Sequence, residues 1–170
     1  MNIRIRRMTD ADAPVITAEE IAQGWGAEGR LEKYLMRLQD MREGRCISLV
    51  AEWDGAVAGY INLYFAPVTG PFAGQAMPEI VDFGVLEKFR NRGIGSALMD
   101  EAERLAAEIS DRVCLGVGLY CSYGSAQRMY VKRGYIPDGS GAWYGDKPAD
   151  PYENYCLDDD LVLFFSKALQ

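Results

Sequence analysis

Residues 79–109 constrain the fold of this chain more than any other stretch. EIVDFGV, at 79–85, is an apolar run of strand length. A short charged segment, LEKFRNR, leads from it to Gly93. A helix is predicted from about Gly93. Ile94, Ala97, Leu98, Ala102, Leu105, Ala106 and Ile109 trace one apolar face, while Asp100, Glu103, Arg104 and Glu108 lie away from it. Such a helix needs an apolar sheet face to cover, which points to a layered α+β domain.

The turn itself has chemical content. Arg90-x-x-Gly93-x-Gly95 presents successive amide N–H groups with few side chains in the way, at the positive end of a helix dipole. That is a cradle for a pyrophosphate. Arg90 and Arg92 add positive charge, and Ser96 adds a hydroxyl. Other nucleotide motifs fit less well. A P-loop requires Gly-Lys-Ser/Thr, and here Ser96 and Ala97 follow Gly95. A dinucleotide fingerprint wants a third small residue at 98, where Leu98 stands.

Around this unit the chain reads as alternating elements. Ile3–Arg7 is a strand, and Thr9 or Asp10 is a candidate cap for a first helix that tolerates Pro14 in its first turn. Gly24, Gly26 and Gly29 interrupt the chain before a helix near Leu31–Arg42, which Gly44 ends. Cys46–Trp53 and Ala56–Phe65 form a hairpin turned at Asp54-Gly55. Ala66–Pro78 is a long loop of the kind that often carries function. Val113–Leu119 is a strand, Ser125–Arg133 a short helix stopped by Gly134, and Leu161–Lys167 a last strand. Gly139–Asp160 is expected to be irregular, with a strand near Trp143 at most. No repeat or linker divides the sequence, so residues 1–170 are read as one domain.

Composition removes several functional classes. The chain has no histidine, which excludes Ser-His-Asp triads, Cys-His dyads and histidine-ligated metals. Cys46, Cys114, Cys121 and Cys156 are scattered and form no C-x-x-C pair, so no metal is expected. A net charge of −7 argues against nucleic acid and anionic membrane as partners. MNIRIRRMTDADA lacks the apolar segment of a secretory leader, and no run approaches membrane-spanning length. A cytoplasmic protein with free thiols is the simplest reading.

With these residues in view, the chain resembles the GNAT superfamily of acyl-CoA-dependent N-acyltransferases. RNRGIGSALM is similar to that family's Arg/Gln-x-x-Gly-x-Gly/Ala motif, and SYGSAQRMYVKRGYIP, at 122–137, resembles its later segment of helix, tyrosine and Gly-aromatic pair, here Tyr130, Gly134 and Tyr135. The resemblance implies a three-layer α+β fold whose central mixed, mostly antiparallel sheet splays between strands 79–85 and 113–119. It implies acetyl-CoA as co-substrate. Its pantetheine arm would pair with backbone groups of Phe83 and Val85, and its pyrophosphate would sit on the amides from Asn91 through Arg92, Gly93, Ile94 and Gly95 to Ser96, beside Arg90. Many members carry a cofactor-contacting Asn where this chain has Tyr123. A homodimer is compatible with the resemblance.

The implied reaction is acetyl transfer to a primary amine on a small molecule, a lysine or a peptide N-terminus, by direct attack in a ternary complex. Taking the proton from a lysine-like amine at pH 7 costs roughly 4–5 kcal/mol. Glu79, eleven residues before Arg90, has the spacing of the base in histone-acetyltransferase members. Asp82 and water are the alternatives, and simple alternation puts Asp82 on the opposite strand face from Glu79 unless the strand is distorted. Tyr130 is the candidate acid toward the departing sulfur. A phenol is no stronger an acid than a thiol, so its contribution is a hydrogen bond that tightens as charge develops. Cys121 is an unattractive nucleophile without a histidine to activate it. Trp25, the 66–78 loop, and the aromatic and acidic segment around Trp143, Tyr144, Tyr152 and Tyr155 are candidate walls for the acceptor. The rival reading is a non-catalytic acetyl-CoA sensor or interaction module. A third is an acyltransferase for longer acyl groups.

Overall fold

A computed structural model describes residues 2–169. Two compact units share the chain. Among the described residues, the first comprises 2–64 and 81–105, the second 65–80 and 106–169.

The first unit opens with β1 (Ile3–Arg7), α1 (Asp12–Ala22) and α2 (Arg30–Arg42). Neither Thr9 nor Asp10 supplies a side-chain cap to α1. The bond runs the other way: the Thr9 backbone N–H and hydroxyl both donate to the Asp12 carboxylate, at 2.7 and 2.8 Å. β2 (Cys46–Trp53) and β3 (Ala56–Tyr64) pair antiparallel, and β1 joins the free side of β2. Trp53 faces Ala56 across a two-residue turn in which Asp54 and Gly55 both have positive φ, 49° and 88°. That is the turn an Asp-Gly hairpin requires. α1 and α2 pack on this sheet through Ala13, Ile16, Tyr34 and Leu38, which meet Met8, Val50 and Tyr60.

β4 (Glu79–Val85) begins in the second unit and ends in the first, beside β3. α3 (Ile94–Ala107) follows a short helical turn at Glu87–Phe89. Ile94, Leu98, Met99, Ala102 and Ala106 are buried, but Ile109 lies beyond the helix end and is exposed. The apolar face therefore closes one turn earlier than its spacing predicts.

The second unit contains β5 (Arg112–Gly118), α4 (Gly124–Lys132), β6 (Ile136–Tyr144), β7 (Lys147–Pro148) and β8 (Leu161–Ala168). β4 and β5 pair in parallel at Glu79↔Cys114 and Ile80↔Leu115. Antiparallel β8 then lies between β5 and β6. β6 contains the strand expected near Trp143 but begins earlier, at Ile136, so regular structure runs through Gly139 where an irregular segment is expected to start. It is a nine-residue strand whose register shifts between Pro137 and Ala142, and Gly139 and Gly141 both have positive φ. The bulge hides the alternation by which a strand is recognised. The 66–78 loop is anchored by buried Phe72 and Met77, which pack with Cys114 and Phe164.

Candidate active site

The turn between β4 and α3 is built as its sequence implies. Asn91 and Gly93 take left-handed backbone conformations, φ 60° and 82°. Asn91, Arg92, Gly93 and Ser96 are exposed. The first intrahelical bond there runs from the Ala97 N–H to the Gly93 carbonyl at 3.0 Å. The N–H groups of Ile94, Gly95 and Ser96 thus belong to the helix's unpaired first turn. No acidic residue occupies that turn. A β-carbon at Gly95 would lie 3.2 Å from Phe83 Cζ and 3.5 Å from Val85 Cγ2, so glycine lets α3 close onto β4.

Neighbouring bonds hold the turn in place. Arg90 pairs with Glu87 at 3.2 Å, and its Nε donates to the Val85 carbonyl at 3.4 Å. The Arg92 guanidinium stacks over Trp53 at 5.2 Å and Phe89 at 5.9 Å. Lys88 pairs with Glu19, and the Glu87 N–H donates to Gln23, tying the turn to the end of α1.

Asp82 has φ +49°, a conformation uncommon outside glycine, in the middle of β4. This is the strand distortion on which the face of Asp82 turns. Its carboxylate receives Arg37 Nε at 2.8 Å and Nη2 at 2.7 Å. Arg37 also donates to the Tyr64 hydroxyl, which in turn bonds Asp40. Burial lowers the Arg37 pKa, but the Asp82 charge and the bonds to Asp82 and Tyr64 outweigh it and hold the guanidinium above its ordinary value. The Asp82 carboxylate is thus engaged by Arg37 through two N–H groups.

A second polar group backs the same strand. Buried Glu20 accepts the hydroxyls of Tyr34 and Tyr60 and an N–H of Arg30. The Tyr60 ring lies directly against Gly84. Sequence reading missed Glu20, Arg37, Tyr60 and Tyr64 as parts of this neighbourhood. Their contacts span 40 to 45 residues in the Glu20–Tyr60 and Arg37–Asp82 bonds, and no local pattern marks them.

In the second unit, Tyr130 is buried in α4, tilted against Tyr135 at 5.8 Å. Burial alone pushes its phenol well above the ordinary value. It is therefore a poorer proton donor than free tyrosine and remains a neutral hydrogen-bond donor. Glu79 is partly buried opposite Cys114. Burial first, and the Glu79 charge second, push the Cys114 thiol up. The Tyr123 ring rests on Gly118, and its hydroxyl donates to Asp159 at 2.8 Å, an oxygen it shares with the Tyr120 hydroxyl. Cys46 and Cys114 are buried, Cys121 and Cys156 exposed, and all four are free.

The acetyltransferase (GNAT) family model matches residues 15–135, most of the chain and all of the β4–α3 turn. The chain belongs to the GNAT family. It is 31% identical over 106 residues to an uncharacterized N-acetyltransferase of Chlorobaculum tepidum, a match covering 62% of this chain and 60% of that protein. The GNAT fold extends over the full length. A ribosomal-protein-alanine N-acetyltransferase from Brucella melitensis superposes with a TM-score of 0.68 at 24% identity, covering 98% of this chain and 99% of that one. yncA from Salmonella typhimurium, solved with its cofactor acetyl-CoA, gives 0.70 at 18% identity, covering 100% and 95%. The mixed α+β architecture expected of a GNAT protein is thus the one found. Among the described residues no helix is long and apolar enough to cross a membrane.

Proposed function

We propose that this GNAT protein transfers an acetyl group from acetyl-CoA to a primary amine. The observation that carries the reading is the turn from Asn91 to Ser96, exposed at Asn91, Arg92, Gly93 and Ser96, with left-handed Asn91 and Gly93 and an unpaired, acid-free first helical turn. Those features suit a diphosphate, and a β-carbon at Gly95 would crowd Phe83 on the adjoining strand. The amides of Asn91, Arg92, Gly93, Ile94, Gly95 and Ser96, with Arg90 and Arg92 for charge, would hold the pyrophosphate. Backbone groups of Phe83 and Val85 would hold the pantetheine amides by strand-like pairing. Tyr123 would contribute its ring face, since its hydroxyl is engaged by Asp159.

When bound, acetyl-CoA supplies an activated acyl carbon. In the proposed step the amine nitrogen bonds to that carbon, the carbon–sulfur bond breaks, and the amine proton leaves by way of Glu79 or a water it orients. Tyr130 donates a hydrogen bond to the sulfur as negative charge grows there. The family match runs through both units, which supports reading residues 1–170 as one acetyltransferase domain. Four free cysteines suit a reducing, cytoplasmic setting.

The test is thiol release from acetyl-CoA across a panel of small amines, lysine peptides and peptide N-termini. Turnover on any of them supports the reading. Tight acetyl-CoA binding without turnover on the whole panel overturns it in favour of a binding module.

A further inference from the structure

The second unit contains a recess on the side of α4 away from Tyr130. It measures about 540 Å³, within the size range of small-molecule sites. Val117 from β5 with Leu163 and Phe165 from β8 form its floor, and Arg128, Val131 and Lys132 from α4 form its wall. At 100° per residue, Arg128, Val131 and Lys132 share one helix face, while Tyr130 stands about 200° around from Arg128. The recess therefore lies on the face of α4 opposite Tyr130. Gln127 fastens the helix over the strand end, its Nε2 donating to the Gly118 carbonyl at 2.8 Å.

Two observations together indicate what fits there. The surface is apolar but open: Val131 is 59% exposed and Leu119, at the rim, 37%. Its wall is cationic, in a chain that carries −7 overall. Among the described residues, Arg6, Arg30, Arg37, Arg42, Arg45, Arg90 and Arg104 pair with carboxylates, while Arg7, Lys33, Arg92 and Lys147 pair with none. Among the described residues, Arg128 and Lys132 pair with none, although they stand four apart on one face. Like charges so placed repel each other in a helix. A cation near a helix C-terminus accounts for Lys132. It does not account for Arg128, a turn earlier.

We propose that this recess binds a small carboxylate with an aliphatic body. The methylenes lie on Leu119, Val131 and Leu163, and the carboxylate sits between the Arg128 guanidinium and the Lys132 ammonium. A planar guanidinium beside a second cation matches a carboxylate in shape and charge. The apolar floor demands the aliphatic part. This site does not depend on acetyl transfer.

The experiment is calorimetric titration of the full chain with octanoate, with acetate, hexanol and inorganic phosphate as comparison ligands. Methyl NMR of the same protein reports the site directly. Octanoate is expected to bind saturably, one per chain, and to shift the methyl signals of Leu119, Val131 and Leu163. Acetate and phosphate lack the body, hexanol lacks the charge, and each should bind at least tenfold more weakly. Arg128→Gln with Lys132→Gln should weaken octanoate at least tenfold while leaving the thermal transition in place. No saturable octanoate binding, methyl shifts confined to other residues, phosphate binding as tightly as octanoate, or unchanged affinity in the folded double variant would each overturn the proposal.

Discussion

Gly95 faces Phe83 so closely that a single added carbon would lie 3.2 Å from the ring. A side chain at Gly95 requires the Phe83 ring on β4 to give way by a few tenths of an ångström.

Gly93→Glu and Gly95→Glu should each weaken CoA binding at least tenfold, about 1.4 kcal/mol. A carboxylate there blocks the amides and repels the diphosphate. At Gly93 the left-handed backbone adds strain. Calorimetry with CoA checks this, and undiminished affinity would remove the cradle from the account.

Tyr130→Phe should lower kcat by about a hundredfold, with little change in CoA affinity. Because burial raises the Tyr130 phenol above its ordinary value of 10, its ionisation should not depress the rate at any pH up to 10. A rate profile extended to pH 10 tests both points. Unchanged kcat in the variant would exclude the phenol from the reaction.

Glu79→Gln should flatten the rise of kcat/KM with pH, whereas Asp82→Asn should leave that rise in place. Asp82 is bound by Arg37, so its loss is structural first. A profile altered by Asp82→Asn and untouched by Glu79→Gln would reverse the assignment.

Arg37→Ala should destabilise the fold by about 1.5–3 kcal/mol, the range for hydrogen bonds to charged groups. It leaves Asp82 without its partner and unpins a left-handed residue inside a strand. Urea unfolding measures the change. A loss under a few tenths of a kcal/mol would show that β4 keeps its shape without the ion pair.

Acid should weaken the anchor of α1. Burial opposes ionisation of Asp12, but bonds from Arg6 and Thr9 outweigh it and hold the carboxyl below its ordinary 3.8. A depressed folded value stabilises the native state above the unfolded pKa, and the gain disappears as pH falls through the folded one. Asp12→Asn should therefore be less stable than wild type at pH 7, with the gap closing below about pH 4. A gap that stays constant down to pH 2 would show that charge is not its source.

The elements legible in the sequence are those whose information is local. β4 and the start of α3 follow from an apolar run, two glycines and a 3.6-residue repeat within about thirty residues. The Asp54-Gly55 turn carries its own backbone requirement. β6 was obscured because Gly139 and Gly141 sit in a bulge that breaks the alternation. The turn from Asn91 to Ser96 was readable for the same reason as its helix. The supports behind it were not: Arg37 reaches Asp82, and Glu20 reaches Tyr60, only after distant segments pack together.

The exposure of the four thiols gives the protein two natural attachment points. Cys46 and Cys114 are shielded, and burial pushes both away from the reactive thiolate. Cys121 and Cys156 stand in solvent, the first just ahead of α4 and the second in the acidic segment before β8. A maleimide dye should mark that pair and spare the interior, so spectroscopic reporters can be installed without introducing a single new residue.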